Sequence, residues 1–383
     1  GPLAIKNKRI MLVAAENGAL PGGKVGGVGD VIRDLPLALA AQGWDASVVT
    51  PAYGIFNELP GATELTSLAV NFAGSMHTAA LWRIPADDSD VTQLAIEHPL
   101  LSPNGPGEIY SNDSADRPFA TDASKFAFFC AAVAALVDQN ISETDVIHLH
   151  DWHAALYLLL RACDPAYKKL QRIRTVYTVH NLALQGIRPL AHDESSLATW
   201  FPTLQAPLPV MVDPRYADCV NPMAVAIRLA DKINTVSPTY ASEILRPSDP
   251  QRGFSGGEGL EYDLQQAASE GRLTGILNGC EYPGTGRRPG WSRLVDAANG
   301  ALNDWDASAR PEIDDVSRKT LATLPRRRPA EVFVSVGRLT TQKAALFLQP
   351  TTNGPSALET ILAKLGKRGV LIMLGSGDAQ LEQ

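Results

Sequence analysis

Short apolar runs alternate along the chain with segments of helical character. Residues 9–15, RIMLVAA, form a continuous apolar run before a glycine-rich break, which is typical of a buried strand. Residues 30–43, DVIRDLPLALAAQG, predict a helix with Asp30 near its start and Gly43 as its stop signal. Further strands are predicted at ASVVTP, TQLAIEH, DVIHLHD, RTVYTVHN, KINTVS and GILNG, and further helices at 122–139 and 154–162. This alternation predicts an α/β fold with a parallel sheet covered by helices on both faces.

The pattern changes over a segment rich in proline and arginine and poor in apolar runs. The predicted parts of the chain are a first domain at 5–282, a crossover region at 283–329 and the start of a second domain at 330–383. The second domain is predicted to contain strands at 331–339 and 369–377, with a helix near 355–367 between them. One such unit cannot bury both faces of a parallel sheet, so we expect this domain to be incomplete at Gln383.

The composition narrows the class of protein. Of the 383 residues, 45% are hydrophobic and 20% are charged, which is typical of a soluble globular protein with room for two domains. The formal net charge of -7 argues against a nucleic-acid partner. No apolar stretch reaches the roughly 18 residues of a membrane span, so we expect no membrane contact. Cys130, Cys163, Cys219 and Cys280 form no CxxC pair or Cys/His cluster, which predicts neither a zinc site nor a disulfide framework. We therefore expect a reducing, cytoplasmic setting.

A glycine-rich loop stands between the first predicted strand and the first predicted helix. Its sequence at 22–30 is GGKVGGVGD, and the helix opens at Asp30. Glycines let backbone N–H groups approach a ligand closely, and a helix N-terminus favours anions, so a diphosphate would be well placed there. Taken alone, such a loop is more often only a tight turn. Lys24 strengthens the ligand interpretation, although the spacing is neither that of a Rossmann fingerprint nor that of a Walker loop.

Histidines and an aspartate close the strand predicted before residue 151. The sequence at 148–155 is HLHDWHAA, so Asp151 and His153 fall at the strand end, where open parallel sheets bind ligands. His148 and His150 lie within the strand, and we expect at least one of them to be a core histidine with its hydrogen bonds satisfied. A metal site is disfavoured, because no carboxylate with ligand spacing completes the set.

A second strand also ends in polar residues. The sequence at 178–186 is TVHNLALQG, which places His180 and Asn181 at the strand end. For His180 alone, a structural role is about as common as a functional one. Two strands that end in this way indicate one shared cleft, however, and we expect Lys24, Asp151 and His180 to meet at the carboxyl edge of the sheet.

Basic residues and glycines recur near the predicted strands of the second domain. In VSVGRLTTQK, at 334–343, Arg338 and Lys343 are spaced to clamp a leaving diphosphate, Arg as a bidentate fork and Lys as a point charge. LGSGD, which contains Gly375 and Gly377, is one more glycine-rich strand end. Either segment by itself is also compatible with a solvated loop.

Eight segments occur in the order and at roughly the spacing of one known family, across almost the whole chain. They are KVGGVGDV (24–31), HLHDWHAA (148–155), TVHNLALQG (178–186), NTVSPTYASEI (234–244), GEGLE (257–261), GILNG (275–279), GRLTTQK (337–343) and LGSGD (374–378). As a set they resemble the bacterial glycogen synthase and plant starch synthase family. The resemblance implies a GT-B fold, with a Rossmann-like N-terminal domain and a second Rossmann-like domain that is partial here.

The resemblance also implies an activity and a set of site residues. The activity is transfer of glucose from ADP-glucose, or from UDP-glucose, to the nonreducing end of an α-1,4-glucan with retention, without a metal or other cofactor. The residues implied to be catalytic are Lys24, Asp151 and His180. The residues implied to bind the donor are Gly26, Gly27, Asp30, Asn181, Arg338, Lys343, Gly375 and Gly377. The residues implied to line the acceptor cleft are His153 and Asn278. Cations then stabilise the charge that grows on the leaving phosphate.

The chain departs from the family pattern at several points. Ala344 stands where the family has a glycine, and Cys280 and Glu281 replace an Ile-Asp pair. A later family segment, with an acidic residue near the donor sugar and a loop that holds the nucleotide, has no counterpart before Gln383, so we expect little transfer by this chain alone. Two alternatives stay open: another retaining GT-B transferase with a small acceptor, and a catalytically degenerate glucan-binding or scaffold protein of the same fold.

Overall fold

The computed structural model describes residues 8–86, 90–139, 143–235, 249, 251 and 256–275, and the backbone of two strands at 331–339 and 369–377. The chain divides into two compact units. The first is formed by residues 1–32 and 44–233, and the second by residues 33–43 and 234–383.

Eight strands lie side by side in the order β10-β7-β6-β1-β2-β5-β4-β3. Their bounds are β1 Arg9–Val13, β2 Asp45–Pro51, β3 Thr63–Phe72, β4 Ser75–Ile84, β5 Thr92–Glu97, β6 Val146–His150, β7 Arg174–Val179 and β10 Lys232–Thr235. A separate antiparallel pair is formed by β8 (Arg188–Pro189) and β9 (Cys219–Val220).

The central strands of the sheet are parallel, and β1 lies between β2 and β6. Leu12 pairs with Val48 on one side and with His148 on the other. β6 is parallel to β7, and β2 is parallel to β5. Every residue of β6 is buried, as a strand covered on both faces requires. The predicted α/β fold is therefore confirmed, and each of these strands was expected from its apolar run.

The far edge of the sheet differs from the sequence prediction. β3 and β4 form an antiparallel hairpin that pairs with β5, which makes the sheet mixed. The hairpin turns at Ala73 and Gly74, which both have positive φ angles, of 53° and 79°. The first half of β3 is mostly polar and largely exposed, and buried residues alternate with exposed ones only from Leu68 to Phe72. The strand therefore has no continuous apolar run by which it could be recognised.

The α-helices up to residue 229 are α1 Gly27–Ala41, α2 Ala120–Asp138, α3 Asp151–Cys163, α4 Leu197–Trp200, α5 Leu208–Met211 and α6 Pro222–Leu229. Residues 33–41 of α1 belong to the second unit. In the first unit, α2 packs against β3, and α3 packs against β6 and β7. α3 packs against both α2 and α6. Among the described residues, α2 alone is long and apolar enough to cross a membrane, contrary to the expectation that no stretch reaches that length; 89% of that stretch is buried inside the protein, as in a core helix.

In the second unit, α7 (Glu261–Ser269) precedes β11 (Leu273–Gly275). The strands β12 (Glu331–Leu339) and β13 (Gly369–Gly377) pair in parallel, with Arg338 opposite Ser376. Both have the bounds that the sequence predicts. The crossover region at 283–329 and the helix expected near 355–367 lie outside the described residues.

Candidate active site

The glycine-rich loop after β1 folds back on itself before α1 begins. Gly18 N–H donates to the Gly29 carbonyl at 2.9 Å, and Asn17 N–H donates to the Gly23 carbonyl at 2.8 Å. At the start of α1, Lys24 Nζ pairs with Asp30 Oδ1 at 2.8 Å while half of the lysine side chain stays exposed. A lysine cation therefore lies in solvent at a helix N-terminus.

Glu16 holds this loop in place through hydrogen bonds. Its buried carboxylate accepts the N–H groups of Val25 and Gly26 through Oε1, each at 2.7 Å, and the Tyr110 hydroxyl through Oε2 at 2.6 Å. We expected the loop to aim its N–H groups at a ligand, yet these two N–H groups are bonded to Glu16. The charge that meets an anion at this loop is therefore mainly that of Lys24 and of the helix N-terminus.

The glycines of the loop fall into two groups. At Gly23, a Cβ atom would lie 2.2 Å from the Asn17 carbonyl oxygen, so the fold itself excludes any side chain. At Gly26 and Gly27, a Cβ atom would meet nothing within 4 Å, and neither residue has a left-handed φ. Both are exposed, so within the described chain nothing prevents a side chain at these two positions.

Asp151 holds the end of β7 against the start of α3. It has a φ of 57°, a left-handed conformation that aspartate tolerates better than most residues. Its Oδ1 accepts the N–H groups of His180 at 2.7 Å and of Asn181 at 3.4 Å. Burial raises the pKa of Asp151 to about 7. The two N–H groups act in the opposite direction, and the charge of the nearby Glu16 adds to the increase. Asp151 thus fixes the backbone from which the His180 side chain projects.

Three histidine rings, which we call the histidine row, connect β6 and β7. His148 and His150 are neighbours with ring centroids 4.1 Å apart, and His150 Nδ1 lies 3.0 Å from His180 Nε2. His148 Nε2 lies 2.6 Å from Thr178 Oγ1, so His148 is the satisfied core histidine that the sequence suggested. Burial lowers the pKa of His148 to about 3 and that of His150 well below its usual range, so both are neutral at pH 7.

His153, expected in the acceptor cleft, is buried. Its ring packs edge-on against Phe126 at 4.7 Å between centroids and also contacts Trp152 and Tyr110. Burial lowers its pKa to about 3. It sits in the first turn of α3, on the side that packs against α2.

A buried polar network fixes the loop that follows His180. Asn221 Nδ2 donates to Gln185 Oε1 and to Asp213 Oδ2, both at 2.8 Å, and Gln185 Nε2 donates to the Leu182 carbonyl. The next residue, Gly186, has a φ of 74° and lies against the Trp152 ring.

The three residues predicted to be catalytic all follow strands at one edge of the sheet. Lys24 follows β1, Asp151 follows β6 and His180 follows β7, and these strands are adjacent and parallel. Asn181 and Gly26 lie on the loops at this edge, and Gly27 and Asp30 lie in the first turn of α1. The other donor and cleft residues belong to the second unit. Arg338, Gly375 and Gly377 lie within β12 and β13, and Lys343 and Asn278 lie outside the described residues.

Glu16 and Tyr110 were not predicted as site residues. Glu16 comes three residues after β1, and an acidic residue at a strand's carboxyl end is a signal that could have been used. Tyr110 lies in an irregular segment before α2, 94 residues from Glu16 along the chain, and no local pattern marks it.

The residues that the structure describes include no group of three or more His, Cys, Asp or Glu side chains arranged to hold a metal ion. In the histidine row, His148 Nε2 contacts Thr178 Oγ1, whereas His150 Nδ1 contacts His180 Nε2, so these nitrogen atoms do not converge on a common point. Cys130, Cys163 and Cys219 carry free thiols, and Cys280 lies outside the described residues.

We expect Asp151→Asn to remove a pH dependence from stability. The folded-state pKa of Asp151, about 7, lies above its ordinary value of 3.8. The neutral carboxyl therefore contributes stability below about pH 4, and this contribution is lost as the pH rises through 7. From about pH 5 to pH 8, wild type should lose about 2–3 kcal/mol of unfolding free energy relative to the variant.

Asparagine keeps the acceptor for His180 N–H and tolerates the left-handed φ, so the variant is a matched comparison. Urea unfolding of both proteins at several pH values gives the difference directly. Parallel pH curves for the two proteins would contradict the assignment of this titration to Asp151.

Comparison with known proteins places this site in a family. Residues 9–266 match the family of starch synthase catalytic domains. The chain is 34% identical to a glycogen synthase of Variovorax paradoxus (strain S110), over 98% of this chain and 70% of the relative. A glycogen synthase of Anaeromyxobacter sp. (strain Fw109-5) is 32% identical, over 98% of this chain and 70% of the relative.

A solved structure shares the fold. The catalytic domain of starch synthase IV from Arabidopsis thaliana, bound to ADP and acarbose, matches with a TM-score of 0.58 and 24% identity, covering 98% of this chain and 69% of that one. The fold and these matches define a glycosyltransferase of the GT-B class. The chain belongs to the family of glycogen and starch synthases.

Proposed function

We propose that the protein transfers glucose from ADP-glucose to the nonreducing end of an α-1,4-glucan, with retention of the anomeric configuration. The observation that carries this proposal is the pair of glycines beside Lys24. Gly26 and Gly27 are exposed, have no left-handed φ and would meet no described atom within 4 Å of a Cβ, so the described part of the fold does not require glycine there. A diphosphate and sugar that approach the backbone closely would require it.

The chemistry follows from the charges at this edge of the sheet. The bond between the sugar C1 and the phosphate oxygen breaks, and negative charge passes to the leaving nucleoside diphosphate. Lys24 and the N-terminus of α1 stabilise that charge as it grows. The acceptor's 4-hydroxyl oxygen bonds to C1 on the same face, and its proton passes to the leaving phosphate. His180 and Asn181 contact the glucose, and Asp151 holds them in place.

We also propose donor and cleft roles for residues of the second unit. Arg338 and Lys343 bind the diphosphate, and Gly375 and Gly377 lie close to the donor. Asn278 lines the cleft. The choice of ADP-glucose over UDP-glucose is supported by the ADP bound in the Arabidopsis starch synthase structure. We also propose a cytoplasmic location and catalysis without a metal or other cofactor.

The open glycines provide the test. We expect Gly27→Ala to leave the fold intact, with unchanged stability or a gain of up to about 1 kcal/mol, because alanine is favoured over glycine in a helix. Donor binding should nevertheless weaken at least about tenfold, since a methyl group would fill the space that the diphosphate occupies. Lys24→Met should weaken donor binding by a similar factor through loss of charge.

ADP-glucose and UDP-glucose binding are measured by calorimetry, and transfer by radiolabelled glucose incorporation into glycogen. Both assays use this chain and the product of the complete gene that contains it. Wild-type donor affinity in Gly27→Ala would overturn the placement of the donor at this loop. A preference for UDP-glucose would correct the proposed nucleotide base. Absence of glucosyl transfer by both proteins would favour the glucan-binding alternative.

A further inference from the structure

His150 is the buried middle member of the histidine row. It is 1% exposed, and its Nδ1 contacts His180 Nε2 at 3.0 Å. Its other ring nitrogen, Nε2, is buried and has no hydrogen-bond partner among the residues that the structure describes. Within that part of the chain, the 3.0 Å contact is therefore the one hydrogen bond of the His150 ring, and its partner, His180, is a residue of the proposed site.

The proton in this contact comes from one of the two rings. Burial keeps His150 neutral at pH 7, so its ring carries a single N–H. If His180 donated, the proton of His150 would sit on Nε2 as a buried donor without an acceptor. If His150 donates from Nδ1, only a lone pair is left without a partner. Buried orphan donors are rarer in proteins than under-satisfied acceptors, and leaving one unpaired is costly.

We infer that His150 is a positioning residue, which donates its Nδ1–H to Nε2 of His180 and thereby holds the His180 proton on Nδ1. His180 is then fixed in one neutral tautomer by a neighbour on the adjacent strand. The pairing of His150 with Thr178 across β6 and β7 keeps the donor in register with His180 two residues further along.

The tautomer determines what His180 recognises. An Nδ1–H is a donor, so the atom that it contacts in a ligand is an acceptor, such as a hydroxyl or phosphate oxygen. If the His180 proton were on Nε2 instead, Nδ1 would be an acceptor and would need a donor from the ligand. This consequence for sugar binding rests on the proposed function, whereas the tautomer itself does not.

Nuclear magnetic resonance of the protein labelled with ¹⁵N-histidine tests the tautomer without an activity assay. We expect His180 at pH 7.5 to show a pyrrole-like shift for Nδ1 and a pyridine-like shift for Nε2, with His180→Gln used to assign the signals. The opposite pattern, or a doubly protonated ring, would overturn the inference even if the variants below fail to fold.

Two substitutions separate positioning from packing. His150→Asn places an amide N–H near the position of Nδ1, and His150→Leu removes the donor. We expect His150→Leu to lower kcat for glucosyl transfer about tenfold with little change in KM for glycogen, and His150→Asn to recover most of the loss. His148→Gln is the control, because His148 contacts Thr178 rather than His180, and it should leave the His180 tautomer unchanged.

Equal losses of kcat in His150→Asn and His150→Leu would contradict the positioning role. If the expected tautomer is present while neither this chain nor the complete gene product transfers glucose, the proposed function fails and the tautomer assignment stands.

Discussion

Replacing Glu16 by alanine is expected to slow glucosyl transfer about a hundredfold and to destabilise the first unit. The carboxylate accepts two loop N–H groups and the Tyr110 hydroxyl, so its loss leaves three donors without their acceptor. The unfolding free energy should fall by about 2–4 kcal/mol, since the tyrosine is largely buried and the loop N–H groups can partly return to water. Released from this anchor, the loop should shift, and a displacement of about 1 Å already costs on the order of a hundredfold in rate.

Glu16→Gln is the matched control. Its amide oxygen still accepts from the loop, and its amide nitrogen donates to the Tyr110 oxygen, so most of the stability should be kept. Chemical unfolding and transfer rates are measured for both variants. Adding Tyr110→Phe completes a double-mutant cycle, which separates the contribution of the Tyr110 contact from that of the loop N–H groups. Wild-type activity in Glu16→Ala would show that the position of the glycine-rich loop does not depend on this carboxylate.

Replacing Gly186 by alanine is expected to be among the most destabilising single-methyl changes in the chain. A Cβ atom there would lie 2.3 Å from the ring of Trp152, which is buried and has little room to move. The φ of 74° adds left-handed strain that alanine tolerates poorly. Overpacking and strain together should lower the unfolding free energy by about 3–5 kcal/mol. The His180 loop, which ends at this glycine, should lose its fixed position.

Gly74→Ala isolates the contribution of packing. Gly74 belongs to the same unit and has a nearly identical φ of 79°, but its nearest neighbour would be 3.8 Å away, at ordinary contact distance. We expect this control to lose only about 1–2 kcal/mol from backbone strain. Equal losses for the two variants in urea unfolding would mean that the Trp152 ring moves aside for the methyl group at Gly186.

Most of the sheet and its functional edge could be predicted from the sequence. A strand covered on both faces is a continuous apolar run, so β1, β6 and β7 can be recognised from the local sequence. The polar residues that follow these strands can be recognised in the same way. The hairpin of β3 and β4 was missed, because its half-exposed strands lack such a run and the hairpin joins the sheet through the pairing of β4 with β5.

The amino-acid sequence by itself determined the class of fold, the family and the edge at which Lys24, Asp151 and His180 lie, because those depend on local patterns and on the order of segments. Only the tertiary structure decided that Glu16 occupies the loop N–H groups, that His153 is buried and that His150 contacts His180. Each of these depends on distances between side chains whose strands and helices must first pack, and Tyr110, 94 residues from its partner Glu16, is the plainest case.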